Sequence, residues 1–330
     1  MRSSRSARLG IIGSGFGRYV HEPAFKKNKV AAVRSAGSKD WKGLISDPSL
    51  NLLSVAVPPK HQPRIALDAI RRKKALFLEK PLALDARQAR RVWRAAAAAR
   101  VPVMVDFEFT GIRAWQRARA AVQSGIVGRV HTLLVHWQMQ TYVNQTGKKS
   151  WKSDSSAGGG VLLQFASHSL HYLEWMNGPI RRLYCRAAGS PNADGKGETF
   201  AHLSFVFKNG SAGSALIDTD APNGAGHRVE FFGDKGSLAL FNPDPKHALV
   251  FELDRTLPDG RVRKILRSGS GSKASHDGRI PPVSVLTGRL LRWMRTGRRQ
   301  SPDLAEAVRT QVLLDAARRS SRTGRWVSTP

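Results

Sequence analysis

In the first third of the chain, apolar residues come in short runs separated by stretches with helical spacing. Residues 8–13 form one run, and residues 30–35, 52–57, 75–78 and 101–107 form four more. Runs of this length bounded by turn residues suit buried strands. Between them, Ile65, Leu67, Ala69 and Ile70 mark a helix over 63–73, and Asp85 caps an alanine-rich helix reaching Arg100. Pro58-Pro59 cannot continue a hydrogen-bonded ladder, so the third strand ends there. Strands alternating with helices predict a parallel, doubly wound Rossmann sheet over residues 1–111.

Beyond Gly111 the pattern changes. Residues 112–124 read as a helix stopped by Gly125, and β patterns then occupy 130–140, 182–188, 199–207, 213–218, 228–233 and 237–241. Asn209-Gly210 and Asp234-Lys235-Gly236 are hairpin turns, which join antiparallel neighbours. A helix over 159–176 interrupts the strands, RSGSGSK at 267–273 reads as a mobile loop, and helices over 283–295 and 303–319 follow. Residues 112–330 are therefore expected to form an α+β domain with a mostly antiparallel sheet.

Composition narrows the setting. With 41% hydrophobic and 24% charged residues the chain is globular. No apolar run approaches the roughly 20 residues of a membrane span, and the basic start lacks a signal-peptide pattern, so the cytoplasm is the expected compartment. The lone Cys185 excludes an internal disulfide and a cysteine metal cluster, and the histidines lack a ligand spacing with a carboxylate, so no metal is expected. Lys and Arg total 54 against 24 Asp and Glu, a formal charge of +30 that attracts anions of any kind. The arginines are spread along segments such as 86–100 and 288–299, and no zinc-finger, RNA-binding or helix-turn-helix pattern accompanies them. Nucleic acid is not an expected partner on that ground.

The chemistry gathers at strand ends. The first strand runs into Gly13-Ser14-Gly15-Phe16-Gly17, where Gly13 permits a tight turn and Gly15 lets backbone approach a pyrophosphate at a helix N-terminus. The third small position of the fingerprint falls on Arg18, with Gly17 beside it. At the end of the second strand an acid would hold the ribose diol of NAD. Here Arg34 and Ser35 stand instead, with no acid until Asp40, which leans toward NADP over NAD. The fourth strand ends in Glu79-Lys80-Pro81, placing a lysine at the carboxyl edge of the sheet, where its ammonium can stabilise alkoxide character during hydride transfer.

Taken in order, the glycine turn, Val57-Pro58-Pro59, Glu79-Lys80-Pro81, Gly125–Gly128, Gly158–Gly160, His168 and the C-terminal Gly324–Val327 resemble the Gfo/Idh/MocA oxidoreductase family. The resemblance implies a Rossmann domain, a second domain with a large open sheet used for homo-oligomer contacts, and sugar, cyclitol or nucleotide-sugar substrates. It also implies that Val57 and Pro58 line the cofactor and that Glu108, Trp151 and Lys152 border the substrate.

The chain departs from the family in two places. The segment between the second and third strands, 35–51, is short and thins the adenosine side. Gln164 stands where the family has an aspartate four residues before the histidine. Spacing of four puts Gln164 and His168 on one helix face, with His171 extending it. Gln164 cannot take a proton, so His168 is the expected general base, Lys80 the polarising cation, and Gln164 and His171 substrate contacts. The alternative is a catalytically lapsed cofactor- or sugar-binding protein on the same fold, and a third reading is an anion-surface binder using the helix over 286–299.

Overall fold

The structure, a computed structural model, describes residues 6–37, 40–189, 197–244, 249–267 and 277–330. Most of the glycine-serine segment, 268–273, lies outside them. The chain divides into two compact units: Met1–Gly111 with Ser275–Gln311, and Ile112–Ala274 with Val312–Pro330. The break at Gly111 falls where the sequence pattern changes, but residues 275–311 join the first unit.

The first unit is a parallel five-stranded sheet. Its strands are β1 (Leu9–Ile12), β2 (Ala32–Ala36), β3 (Leu52–Val55), β4 (Ala75–Leu78) and β5 (Val103–Val105), ordered β2-β1-β3-β4-β5. Its helices are α1 (Glu22–Lys27), α2 (Trp41–Ser46), α3 (Gln62–Arg71) and α4 (Ala86–Ala99). Alternation within each strand sends side chains to both faces. One face packs Leu53, Val55, Leu76, Leu78 and Val105 against α3 and α4. The other carries Leu9, Ile11, Leu52, Phe77 and Met104.

That second face explains why residues 275–311 belong here. α1 alone is too short to cover it, and Ile280, Val283, Leu286 and Leu290 complete the core. Asn28 fixes the fit by donating to Ser284 O at 2.7 Å and Thr287 Oγ1 at 2.9 Å. Leu286 and Leu290 of the arginine-rich helix over 286–299 are thus core, with Leu291 and Met294 packed against it.

The second unit is built on a nine-stranded sheet. In chain order the strands are β6 (Val130–Gln138), β7 (Ile180–Ala188), β8 (Phe200–Phe207), β9 (Ala212–Asp218), β10 (Gly226–Gly233), β11 (Gly236–Phe241), β12 (Glu252–Thr256), β13 (Val262–Leu266) and β14 (Val327–Ser328). Their order is β13-β12-β11-β10-β6-β9-β8-β7-β14, antiparallel except for β6 against β9. Its helices are α5 (Arg113–Gln123), α6 (Tyr142–Thr146) and α7 (Ser167–Asn177). Two more follow: α8 (Ile280–Thr296), counted with the first unit, and α9 (Leu304–Thr323), whose residues are divided between the units. Both expected hairpins form, with Gly210 at φ +90° and Gly236 at +111°. β12 and β13 are absent from the sequence expectation because their mixed charged positions hide the alternation. No helix among the described residues is long and apolar enough to cross a membrane.

Candidate functional site

The glycine turn has the geometry a pyrophosphate needs. Gly13 holds φ +123°, and a Cβ there would lie 2.2 Å from Ala56 O, so only glycine lets β1 and β3 end this close. A Cβ on Gly15 would meet nothing within 4 Å, which leaves the turn open to a ligand. A Cβ on Gly17 would lie 3.2 Å from Ile11 Cγ2 and 3.3 Å from Ala56 Cβ. The close helix–strand packing expected of the third small position is therefore made by Gly17, and Arg18 is free of that role. The following helix opens with a π-helical turn, Gly17–His21, before α1. Ser14 and Phe16 flank the opening, and Val57 and Pro58 continue from the end of β3. These residues fit a dinucleotide.

On the adenosine side, β2 is an exposed edge strand. Arg34 Nη1 lies 3.1 Å from Asp47 Oδ2. Hydrogen bonds from Ser49, with Arg34 adding to them, hold the Asp47 carboxyl down at about 2. Asp47 thus engages the guanidinium on which the NADP expectation rests. Among the described residues, α2 is the one element between β2 and β3, as the short segment implies.

Lys80 follows β4 at the carboxyl edge of the sheet. Its backbone N–H donates to Glu79 Oε2 at 2.6 Å, and Gln62 Nε2 donates to Glu79 O at 2.5 Å and Pro81 O at 3.2 Å. The Lys80–Pro81 peptide is cis. Next to Glu79 stand two residues the sequence reading does not name, His21 on the π-turn and Asp106 just past β5. His21 Nε2 is 3.0 Å from Asp106 Oδ2, and His21 Nδ1 is 2.8 Å from Ser54 Oγ. One polar atom from each of His21, Glu79 and Asp106 falls within a single 4.8 Å neighbourhood. Ser54, His21 and Asp106 have the order of a hydrolase triad, but all three are fully buried, so the serine cannot meet a substrate.

Burial dominates this cluster. It raises the carboxyl pKa of Glu79 and of Asp106, with Asp106 adding repulsion at Glu79 and Lys80 opposing both. Glu108, on the 3₁₀ turn Glu108–Gly111, is pushed up to about 7 by burial and Asp106, against Lys80. His21 is pulled down to about 4 by burial, although Glu79 favours its charged form. Arg279 supplies the second cation. Its guanidinium stacks over the Phe16 ring at 4.8 Å and its Nε donates to Asp277 Oδ1 at 2.8 Å. The first unit thus brings together the glycine turn, Glu79, Lys80 and Glu108, and adds His21, Asp106 and Arg279.

In the second unit α7 is also preceded by a π-turn, Leu162–Ala166. Gln164 lies on that turn and His168 follows it, so the regular four-residue spacing assumed from sequence is interrupted by an i→i+5 bond from Ser167 N to Leu162 O. Gln164 Nε2 donates to Lys152 O at 2.5 Å. Gln164 and Lys152 line one cavity of about 160 Å³ with Thr141, Asn144, Lys148 and Glu198. Trp151 sits on the 3₁₀ turn Trp151–Ser153 and is 36% exposed. Gly160 is tight here, since a Cβ would lie 2.0 Å from Glu198 Oε2.

His168 and His171 are both buried, and the His168 ring lies 6.0 Å from Trp137. Behind them His227, also missed from sequence, stacks flat on Trp137 at 4.1 Å. The Tyr172 hydroxyl is 3.0 Å from both Ser169 Oγ and His227 Nε2, and burial lowers His227 to about 3.

A glycine-turn Rossmann sheet with a lysine at its carboxyl edge defines a nicotinamide-dependent oxidoreductase. The chain belongs to the GFO/IDH/MocA family: residues 7–107 match its oxidoreductase family NAD-binding Rossmann fold, and residues 115–239 its C-terminal domain. An uncharacterized oxidoreductase of Synechocystis sp. is 26% identical over 100% of this chain and 98% of its own. Levoglucosan dehydrogenase of Pseudarthrobacter phenanthrenivorans is 21% identical over 99% of each chain. The solved levoglucosan dehydrogenase complex with NADH and levoglucosan superposes with a TM-score of 0.85 at 19% identity, over 98% of this chain and 99% of the other. An inositol dehydrogenase homolog from Azotobacter vinelandii, complexed with NAD+, gives 0.84 at 18% identity over 99% and 98%.

Proposed function

We propose that this protein transfers hydride between NAD(H) and a secondary alcohol or ketone of a sugar or cyclitol. The observation that carries the reading is Lys80, held at the carboxyl edge of the sheet over buried carboxyls and beside a glycine turn fit for a dinucleotide. The nicotinamide supplies the hydride acceptor or donor. Lys80 polarises the substrate oxygen, and His168 takes its proton in oxidation and returns it in reduction. Gly13, Ser14, Gly15, Phe16, Gly17, Val57, Pro58 and Glu79 hold the cofactor. Glu108, Trp151, Lys152, Gln164 and His171 contact substrate, with Trp151 suited to a pyranose face and Lys152 to a carboxylate or a nucleotide-sugar phosphate.

NAD is the cofactor in this reading, because Arg34 is engaged by Asp47. The named substrates of relatives, levoglucosan and inositol, set the substrate class. The protein works in the cytoplasm as a homo-oligomer joined through the open face of the nine-stranded sheet. A second reading, binding without turnover, is favoured by Gln164, whose amide is spent on Lys152 O. Titration with NADH and NADPH by fluorescence, then a screen of pyranoses, cyclitols and nucleotide sugars for reduced-nicotinamide absorbance, separates the readings. Binding neither cofactor sinks both, and cofactor binding without turnover on any substrate leaves the lapsed enzyme.

A further inference from the structure

The +30 charge has no part in hydride transfer, and one surface concentrates it. On α4, Ala86, Ala89, Val92 and Ala96 face the core. The outer face presents Arg87, Arg90, Arg91 and Arg94, all exposed, with small Ala97 and Ala98 beyond them. Trp93 stands at the rim of this face, 40% exposed. None of the four arginines is paired with a carboxylate among the described residues. Arg100 closes the helix, and Lys73 Nζ donates to Ala99 O at 3.1 Å, which brings the basic end of α3 alongside. From Arg87 to Arg100 the row is about 20 Å long at 1.5 Å per residue.

Two electrostatic rules are broken at once. Arg87–Arg90, Arg87–Arg91, Arg90–Arg94 and Arg91–Arg94 are like-charge neighbours one turn apart, each of which destabilises a helix. Arg87 also stands in the first turn, where the macrodipole favours anions, and the N-cap Asp85 before it is engaged by Gln88 through N at 2.8 Å and Nε2 at 3.0 Å. A merely solvated face gains nothing from this arrangement, whereas an anion laid along it relieves both penalties. The guanidinium fork suits phosphate oxygens, and an exposed indole offers a base a surface for stacking.

We propose that the outer face of α4 binds the phosphodiester backbone of single-stranded nucleic acid, with Trp93 stacking on a base. The absence of a recognition motif excludes sequence reading, not this mode of binding, which needs only charge and a stacking surface. A lipid surface fits less well, because the apolar side of α4 is committed to the core and one indole offers little area to insert.

The test is fluorescence anisotropy of a labelled oligouridylate with full-length protein across a salt series. An R87A/R90A/R91A/R94A variant is compared with a variant losing equal charge elsewhere, R263A/R292A/R295A/R298A. The α4 variant is expected to lose most of the affinity and to lower the slope of log K against log salt by about 3, at roughly 0.7 per phosphate contact. W93A is expected to weaken binding about tenfold without changing that slope. Because alanine removes the repulsion, the α4 variant should also melt at a higher temperature than the parent, and retained NADH binding confirms its fold. Equal losses in the two charge variants overturn the proposal, as does binding to phosphatidylserine vesicles without binding to the oligonucleotide.

Discussion

The two units bury histidine in opposite ways. His21 sits among carboxyls, beside Asp106 and near Glu79, with Lys80 and Arg279 as the balancing cations. His227 sits among rings, stacked on Trp137 and edge-on to Phe251. Both are pulled below the ordinary histidine range, to about 4 and about 3, because burial outweighs whatever surrounds them. The difference lies in what remains ionisable. In the first unit the carboxyls stay poised near neutrality under a lysine, a setting for moving charge. In the second, an uncharged platform supports the helix that carries His168.

The comparison can be broken at its most active point first. Lys80→Ala should reduce turnover on the order of 10²–10³-fold while NADH binding persists, measured by steady-state rates beside fluorescence titration. An unchanged rate would mean that the carboxyl cluster serves another purpose. His168→Gln should cost about 10²-fold and flatten the acidic limb of the pH profile in the oxidation direction, since glutamine cannot take a proton. A pH profile that keeps its limb would move the base elsewhere.

Stability sharpens the contrast between the histidines and the carboxyls. The folded pKa of His227 lies below its unfolded value. The unfolded chain therefore binds the extra proton, and stability falls as pH drops from 6.5 toward about 3. His227→Gln should remove that slope, which is at most about 1.4 kcal/mol per pH unit, read as unfolding free energy against pH. Asp106 has the opposite sign. Its folded pKa is raised above the ordinary carboxyl value, so the native state keeps a proton the unfolded chain releases, and stability falls as pH rises from about 4 toward neutrality. Asp106→Asn should shift the melting-temperature difference from the parent in the variant's favour by roughly 2–6 °C between pH 5 and pH 8. A shift in the other direction would show Asp106 ionised throughout. The smallest effect is expected at Arg34→Ala, which breaks an exposed pair with Asp47. The melting temperature should scarcely move and NAD affinity should change by under about twofold.

Much of the first unit is legible in the sequence because its signals are local. Gly13, Asp85, Pro58 and the short apolar runs each announce their own conformation within a few residues. Lys80 is legible for the same reason, as the residue after a strand. His21, Asp106 and Arg279 are not, because their meaning lies in pairing across 85 or more positions. The apolar neighbours Val105 and Phe107 conceal a buried aspartate. Nor does periodicity reveal that residues 280–290 cover the first sheet, since an amphipathic stripe does not name its partner. In the second unit the hairpin turns are plain, while the stack of His227 on Trp137 depends on β6 lying beside β10, a register that no pair of residues declares.

The two π-turns have a consequence for how this chain tolerates changes in length. A π-turn accommodates one residue more than the surrounding α-helix needs, so each behaves as a single inserted residue stored inside a helix. Deleting one residue within Gly17–His21 would let the helix close up regularly with the residues on either side keeping nearly the same rotation, because the five residues of the π-turn sweep about the angle of four in an α-helix. The hydrophobic positions of α1 would still find the core, and the loss would fall inside the turn, on the widened backbone that sets His21 beside Asp106 and Ser54. The same holds for Leu162–Ala166, where the widened turn carries Gln164. Deletions at these two places are thus a way to uncouple folding from chemistry: the fold can absorb them, and the placement of the polar side chains on the turns cannot.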